Sequence, residues 1–104
     1  MNYSYEELIS SVNSGIIYGF YFCVNGYAHY KKCSIFRIND RIANGKTITR
    51  IEVNLVEDGS EMYSFFKTFQ EDSKIFNMGR RGKFTLKQLW SNITVLEVVN
   101  SSSQ

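Results

Sequence analysis

Two apolar periods divide this chain. Tyr5, Leu8, Ile9 and Val12 recur at i, i+3, i+4 and i+7, which is one stripe of a short helix. Ser4 and Glu7 form a capping-box pattern, Tyr3 and Leu8 are spaced as a hydrophobic staple, and Gly15 is placed to end the helix. From Ile16 the period becomes 2. The runs 16–24 and 27–38 flank Asn25-Gly26, a dipeptide favoured in two-residue hairpin turns because both positions tolerate φ > 0. Such a loop sets a register. Val24, Phe22, Phe20 and Tyr18 face Tyr27, His29, Lys31 and Cys33 on the more apolar side, which is expected to be core. Cys23, Tyr21, Gly19 and Ile17 face Ala28, Tyr30, Lys32 and Ser34 on the other, half-exposed side. Phe36 and Ile38 fall on this second side, which predicts a β-bulge near Cys33–Ile35.

Residues 39–45 are polar and read as a link. Thr49, Ile51, Val53 and Leu55 then alternate with Arg50, Glu52 and Asn54, the pattern of a strand with one buried face. Asp58-Gly59 is a second turn signal, pairing Leu55 with Met62, Ile51 with Phe66 and Arg50 with Lys67. Residues 60–69 therefore read as a returning strand. Met62, Phe65, Phe66 and Phe69 also fit a helix, and the turn chemistry decides for the strand. A short strand over 74–78 and a loop over 79–82 follow. A second helix starts with Thr85 as N-cap, Gln88 as box partner and Phe84–Leu89 as staple, with Leu86, Leu89, Trp90 and Ile93 as its stripe. Residues 94–99 are a last strand, and 101–104 a polar tail. The expectation is one α+β domain over 1–100. Its mainly antiparallel sheet has about five to six strands, in the order α-β-β-β-β-β-α-β, packed with two short amphipathic helices.

Composition narrows the class. With 104 residues the chain is long enough for one core without metal or disulfide staples. Its 43% hydrophobic and 21% charged content is ordinary for a globular protein. Aromatic residues reach 15%, and a net charge of +2 is too small to indicate nucleic-acid binding by itself. No apolar run has the length of a membrane span, and no basic leader precedes Glu6 and Glu7, so the expected location is cytoplasmic. In the two-residue-loop register, Cys23 and Cys33 lie on opposite faces, roughly 17 Å apart along the strands at ~3.4 Å per residue. Two free, buried thiols are expected.

Chemistry is sparse. One His and two Cys give no zinc spacing, and the pairs Glu57-Asp58 and Glu71-Asp72 belong to turns, so neither metal nor cofactor is expected. His29, near Tyr27 and Lys31, is the only candidate for acid–base cleavage of RNA, and it lacks a second histidine or a positioned carboxylate. Charge is more suggestive. Between Asp72 and Glu97 there is no acid, while Lys74, Arg80, Arg81, Lys83 and Lys87 are all basic. Three of these lie in or beside a glycine-flanked loop that leads into a helix N-terminus, a place that suits a carboxylate or phosphate. The glycine spacing is neither that of a Walker A loop nor that of a KH loop in its helical context. Tyr18, Tyr21, Tyr27 and Tyr30 lie on one hairpin. If the helices cover the first sheet face, Tyr21, Tyr30 and Lys32 remain as an aromatic-plus-lysine patch.

These residues point away from catalysis and towards binding. Small size, a single α+β domain and residue usage typical of AT-rich coding give the profile of phage-encoded inhibitors of host defence, such as anti-CRISPR proteins, and of immunity proteins. That is a likeness of type. A protein partner is expected, held through the basic loop and the aromatic face. The alternative is a module that binds nucleotides or nucleic acid, with phosphates on the loop and bases stacked on tyrosine. A homodimer is a further possibility, and no membrane partner is expected.

Overall fold

The computed structural model describes residues 3–27, 30–39, 47–57 and 60–100, with the backbone alone for 38–39, 47–48, 50, 52–57 and 60–68. Helix α1 spans Tyr5–Ser14. Strands β1 (Ile17–Val24), β2 (Lys32–Asn39), β3 (Thr47–Glu57) and β4 (Ser60–Thr68) follow. Two-residue strands β5 (Phe76–Asn77) and β6 (Lys83–Phe84) precede helix α2 (Leu86–Leu89) and strand β7 (Ile93–Asn100). The long strands form an antiparallel sheet in the order β4-β3-β2-β1-β7, while β5 and β6 pair separately. The class is α+β with two short helices on an antiparallel sheet, as the periodicities predict.

The helix ends follow local chemistry. Ser4 Oγ accepts the Glu7 N–H at 3.0 Å, one of the donors a helix start leaves free. At the other end Gly15 adopts φ 82°, and the Gly15 and Ile16 N–H groups bond to the Val12 and Ser11 carbonyls, a Schellman ending. Thr85 and Gln88 form the complete capping box, with bonds of 2.8 and 3.1 Å. That second helix is a single turn. Trp90–Asn92 continues as a 3-10 turn, and Ile93 opens β7 instead of completing a helical stripe.

The first hairpin departs from its expected register. Phe22 pairs with Cys33, Tyr21 with Ser34, Phe20 with Ile35 and Gly19 with Phe36. Each partner lies four residues beyond the one a two-residue loop would supply (Cys33 in place of His29, for example). Asn25-Gly26 does form a turn, closed by the Tyr27 N–H on the Val24 carbonyl at 3.3 Å. That turn is tied to β7, because the Asn25 N–H bonds to the Asn92 carbonyl at 2.7 Å and Asn25 Oδ1 accepts from Thr94 Oγ1 at 2.9 Å. The ladder with β2 starts only after Tyr30. An even shift preserves parity, so Phe20, Phe22, Val24 and Cys33 keep the core face while every cross-strand partner changes, but Tyr18 and Ile17, expected on the core and half-exposed sides, exchange faces. Ala28 and His29 lie outside the described residues, as do residues 40–46, the Asp58-Gly59 turn and the tail 101–104.

The bulges also move. Strand β2 runs in unbroken register against both neighbours, so there is none at Cys33–Ile35. They occur between β1 and β7 instead, at Ile17/Gly19 and Tyr21/Phe22. The first explains why Ile17 turns into the core and Tyr18 does not. In the β3–β4 pair, Glu57 meets Ser60 as a two-residue loop requires. A register shift at Leu55/Val56 then places Leu55 opposite Tyr63, Ile51 opposite Lys67 and Arg50 opposite Thr68.

One face of the sheet is plated. Phe20, Phe22, Val24, Cys33, Ile35 and Ile51 are buried beneath Tyr5, Leu8, Ile9 and Val12 of α1, Leu86 and Leu89 of α2, and Phe76 and Met78. Burying a side chain of this size contributes about 1.5–3 kcal/mol. The β5–β6 ribbon belongs to this covering layer, because Phe76 packs against Phe22 at 6.2 Å and Tyr30 at 5.3 Å between ring centroids. On the opposite face Phe36 sits between Tyr18 and Tyr21, each at 5.2 Å.

Candidate partner-binding surface

The basic loop is a compact turn with its own hydrogen bonds. Residues Gly79–Arg81 form a 3-10 turn between β5 and β6. The Met78 N–H bonds to the Gly82 carbonyl at 2.8 Å, the Gly82 N–H to the Gly79 carbonyl at 3.0 Å, and the Gly79 N–H to Asn77 Oδ1 at 3.0 Å. Gly79 at φ 65° and Gly82 at φ 94° supply the left-handed backbone that so tight a bend needs. The turn is anchored from below. Tyr30 Oη accepts the Asn77 N–H at 3.0 Å and donates to the Asn77 carbonyl at 3.1 Å.

All of Gly79–Lys83 is exposed. Arg81 Nη1 donates to Tyr27 Oη at 2.7 Å, and its guanidinium lies 6.0 Å from the centre of the Phe84 ring. Both contacts orient the guanidinium without neutralising it. Lys87 pairs with Glu6 at 3.4 Å, and this pair with Lys87 is one cause of a Glu6 carboxyl below its usual range, after a backbone hydrogen bond. Among the described residues, Lys74, Arg80, Arg81 and Lys83 have no carboxylate partner. Lys87 instead belongs to the rim of a groove of about 470 Å³ beside α1, where Tyr5 donates to Glu71 Oε2 at 3.4 Å.

Three expectations require correction. Tyr30 is buried at 7% exposure, so no Tyr21–Tyr30 patch exists: the register shift puts Ser34 opposite Tyr21, and Asn77 captures the Tyr30 hydroxyl. The start of α2 is partly engaged already, with the Leu86 and Lys87 N–H groups outside its capping box. Its capping box uses the Thr85 and Gln88 N–H groups, and one helical turn carries little dipole. Third, the basic turn and the aromatic face do not merge. Tyr21 and Lys32 lie on the open side of the sheet, whereas the turn belongs to the layer over the other side. Tyr27, placed by the sequence beside His29 and among the hairpin tyrosines, has a partner that sequence reasoning missed. It contacts Arg81 across 54 residues of chain, and no local pattern signals such a pair.

The cysteines are both free, Cys33 buried and Cys23 half-buried. They keep to opposite faces, but the observed register makes them neighbours across the β1–β2 ladder instead of distant. Burial first, and the nearby Cys23 second, push the Cys33 thiol up to about 12. Among the described residues, no three His, Cys, Asp or Glu side chains gather as a metal site. No helix among them is long and apolar enough to cross a membrane. No family model, curated protein or solved structure matches this chain.

Proposed function

We propose that this chain is a non-enzymatic binding protein whose cationic turn occupies an acidic surface of a protein partner. The supporting observation is the pairing of rigidity with free charge. Backbone hydrogen bonds close the turn and Arg81 is held by Tyr27 and Phe84, while Arg80 and Lys83, like Lys74 ahead of β5, are exposed without carboxylates among the described residues. A pre-oriented arginine loses less freedom on meeting a carboxylate than a mobile one. In this reading the protein works by occupation, in the manner of a phage or mobile-element accessory inhibitor or an immunity protein, in the cytoplasm.

The rival reading is a phosphate-binding module for nucleotides or nucleic acid. It relies on phosphates held by the basic loop, with bases stacked on the hairpin tyrosines. Burial of Tyr30 leaves Tyr21 without its expected stacking neighbour, which is what weighs against this reading. Reversing charge with Arg80→Glu and Lys83→Glu tests the first reading. Loss of one specific protein from affinity capture, with an unchanged circular-dichroism spectrum, supports it. Undiminished capture by the folded variant overturns it, as does binding that is confined to oligonucleotides and falls steeply with salt.

A further inference from the structure

The open sheet face carries a second set of features that the cationic turn does not use. Its centre is aromatic. Tyr18 and Tyr21 of β1 flank Phe36 of β2, and Tyr21 is 41% exposed. Among the charged side chains described on this face, two flank β1. Lys32 lies on β2, on the Ser34–Phe36 side by strand alternation, and Glu97 lies on β7 directly opposite Tyr21. Both are exposed, and neither has an ionic partner among the described residues.

We infer that this face docks a second copy of the chain, related by a two-fold axis running along β1 in the plane between the two sheets. Such an axis exchanges the two sides of β1, so β2 of each copy faces β7 of the other. Lys32 of one chain then approaches Glu97 of its partner, and the same contact recurs on the other side. The aromatic cluster fills the space between, about 10 Å for sheets packed face to face. The charge pattern selects this occupant. A single-stranded nucleic acid would meet the Glu97 carboxylate beside Tyr21, where a polyanion is repelled, whereas a copy of the same face brings the matching cation. Edge-to-edge pairing through β7 is disfavoured by the bulge at Tyr21/Phe22, which interrupts the outer strand.

The test is sedimentation velocity on the full chain over a range of concentrations, with three arms. The wild type is expected to approach twice its 12.1 kDa mass as concentration rises. Lys32→Glu and Glu97→Lys each place like charges opposite one another twice, and each is expected to weaken association roughly tenfold. Mixing the two variants restores both attractive pairs and should return the dimer as a heterodimer. A wild type that stays monomeric throughout, or variants that fail to recover on mixing, would overturn the inference. So would a wild type that binds a single-stranded oligonucleotide in a manner lost with Tyr21→Ser. Arg80→Glu should leave the dimer intact, which separates this face from the cationic turn.

Discussion

Phe36 lies over Gly19 on the neighbouring strand, and the two are directly paired in the sheet. A Cβ on Gly19 would stand 2.6 Å from Phe36 Cδ1 and 2.9 Å from Phe36 Cα, besides meeting the Ile35 carbonyl. The bare glycine lets Phe36 lie flat and reach both tyrosines. Gly19→Ala should therefore lower stability by about 1–3 kcal/mol, the range for overpacking. Urea unfolding measures it.

Tyr30 holds the base of the cationic turn through Asn77. Tyr30→Phe keeps the ring packed against Phe76 but leaves the Asn77 N–H and carbonyl without that partner. A loss of about 1–3 kcal/mol is expected in thermal unfolding. The same substitution should loosen the turn, seen as faster amide exchange at Gly79 and Gly82.

Alkaline pH should weaken the fold through Cys33. Its thiol is held neutral, with a pKa raised from 9.0 to about 12. The unfolded chain loses this proton first. The contribution is therefore complete below pH 9 and disappears as pH rises towards 12, in total on the order of a few kcal/mol. Tyr5, raised from 10.0 to about 12 mainly by burial, acts in the same direction over a narrower window. Urea midpoints across this range should show a shallower fall for Cys33→Ala than for the wild type. Iodoacetamide should label Cys23 in the native protein and Cys33 only on unfolding.

Charge in the turn should matter for binding and not for folding. Arg80 and Lys83 are exposed and have no carboxylate partner among the described residues, so Arg80→Glu and Lys83→Glu should each change stability by no more than about 0.5 kcal/mol in urea. A larger loss would mean that these cations serve the fold.

Local signals reached the helix ends and the strand faces, because those depend on residues three or four apart. Ser4 and Thr85 cap as their spacing implies, and Phe20, Phe22 and Cys33 reach the core because alternation survives an even register shift. The shift itself was illegible. Asn25-Gly26 carries a sound turn signal, yet hydrogen bonds to Asn92 and Thr94, distant in the chain, decide which strand that turn serves. The same non-locality hid the fate of Tyr30, captured by Asn77, and the contact between Tyr27 and Arg81. The basic run was visible in the sequence. Its separation from the aromatic face depends on which side of the sheet the β5–β6 ribbon covers, and composition holds no record of that.

Amide hydrogen exchange on the captured complex tests the proposed function most directly. The account predicts slowed exchange confined to Gly79–Lys83 and the neighbouring Tyr27 when the partner is bound, with Tyr18–Tyr21 unaffected. Protection centred on Tyr18–Tyr21 and Ser34–Phe36, with the turn exchanging as freely as before, would contradict it.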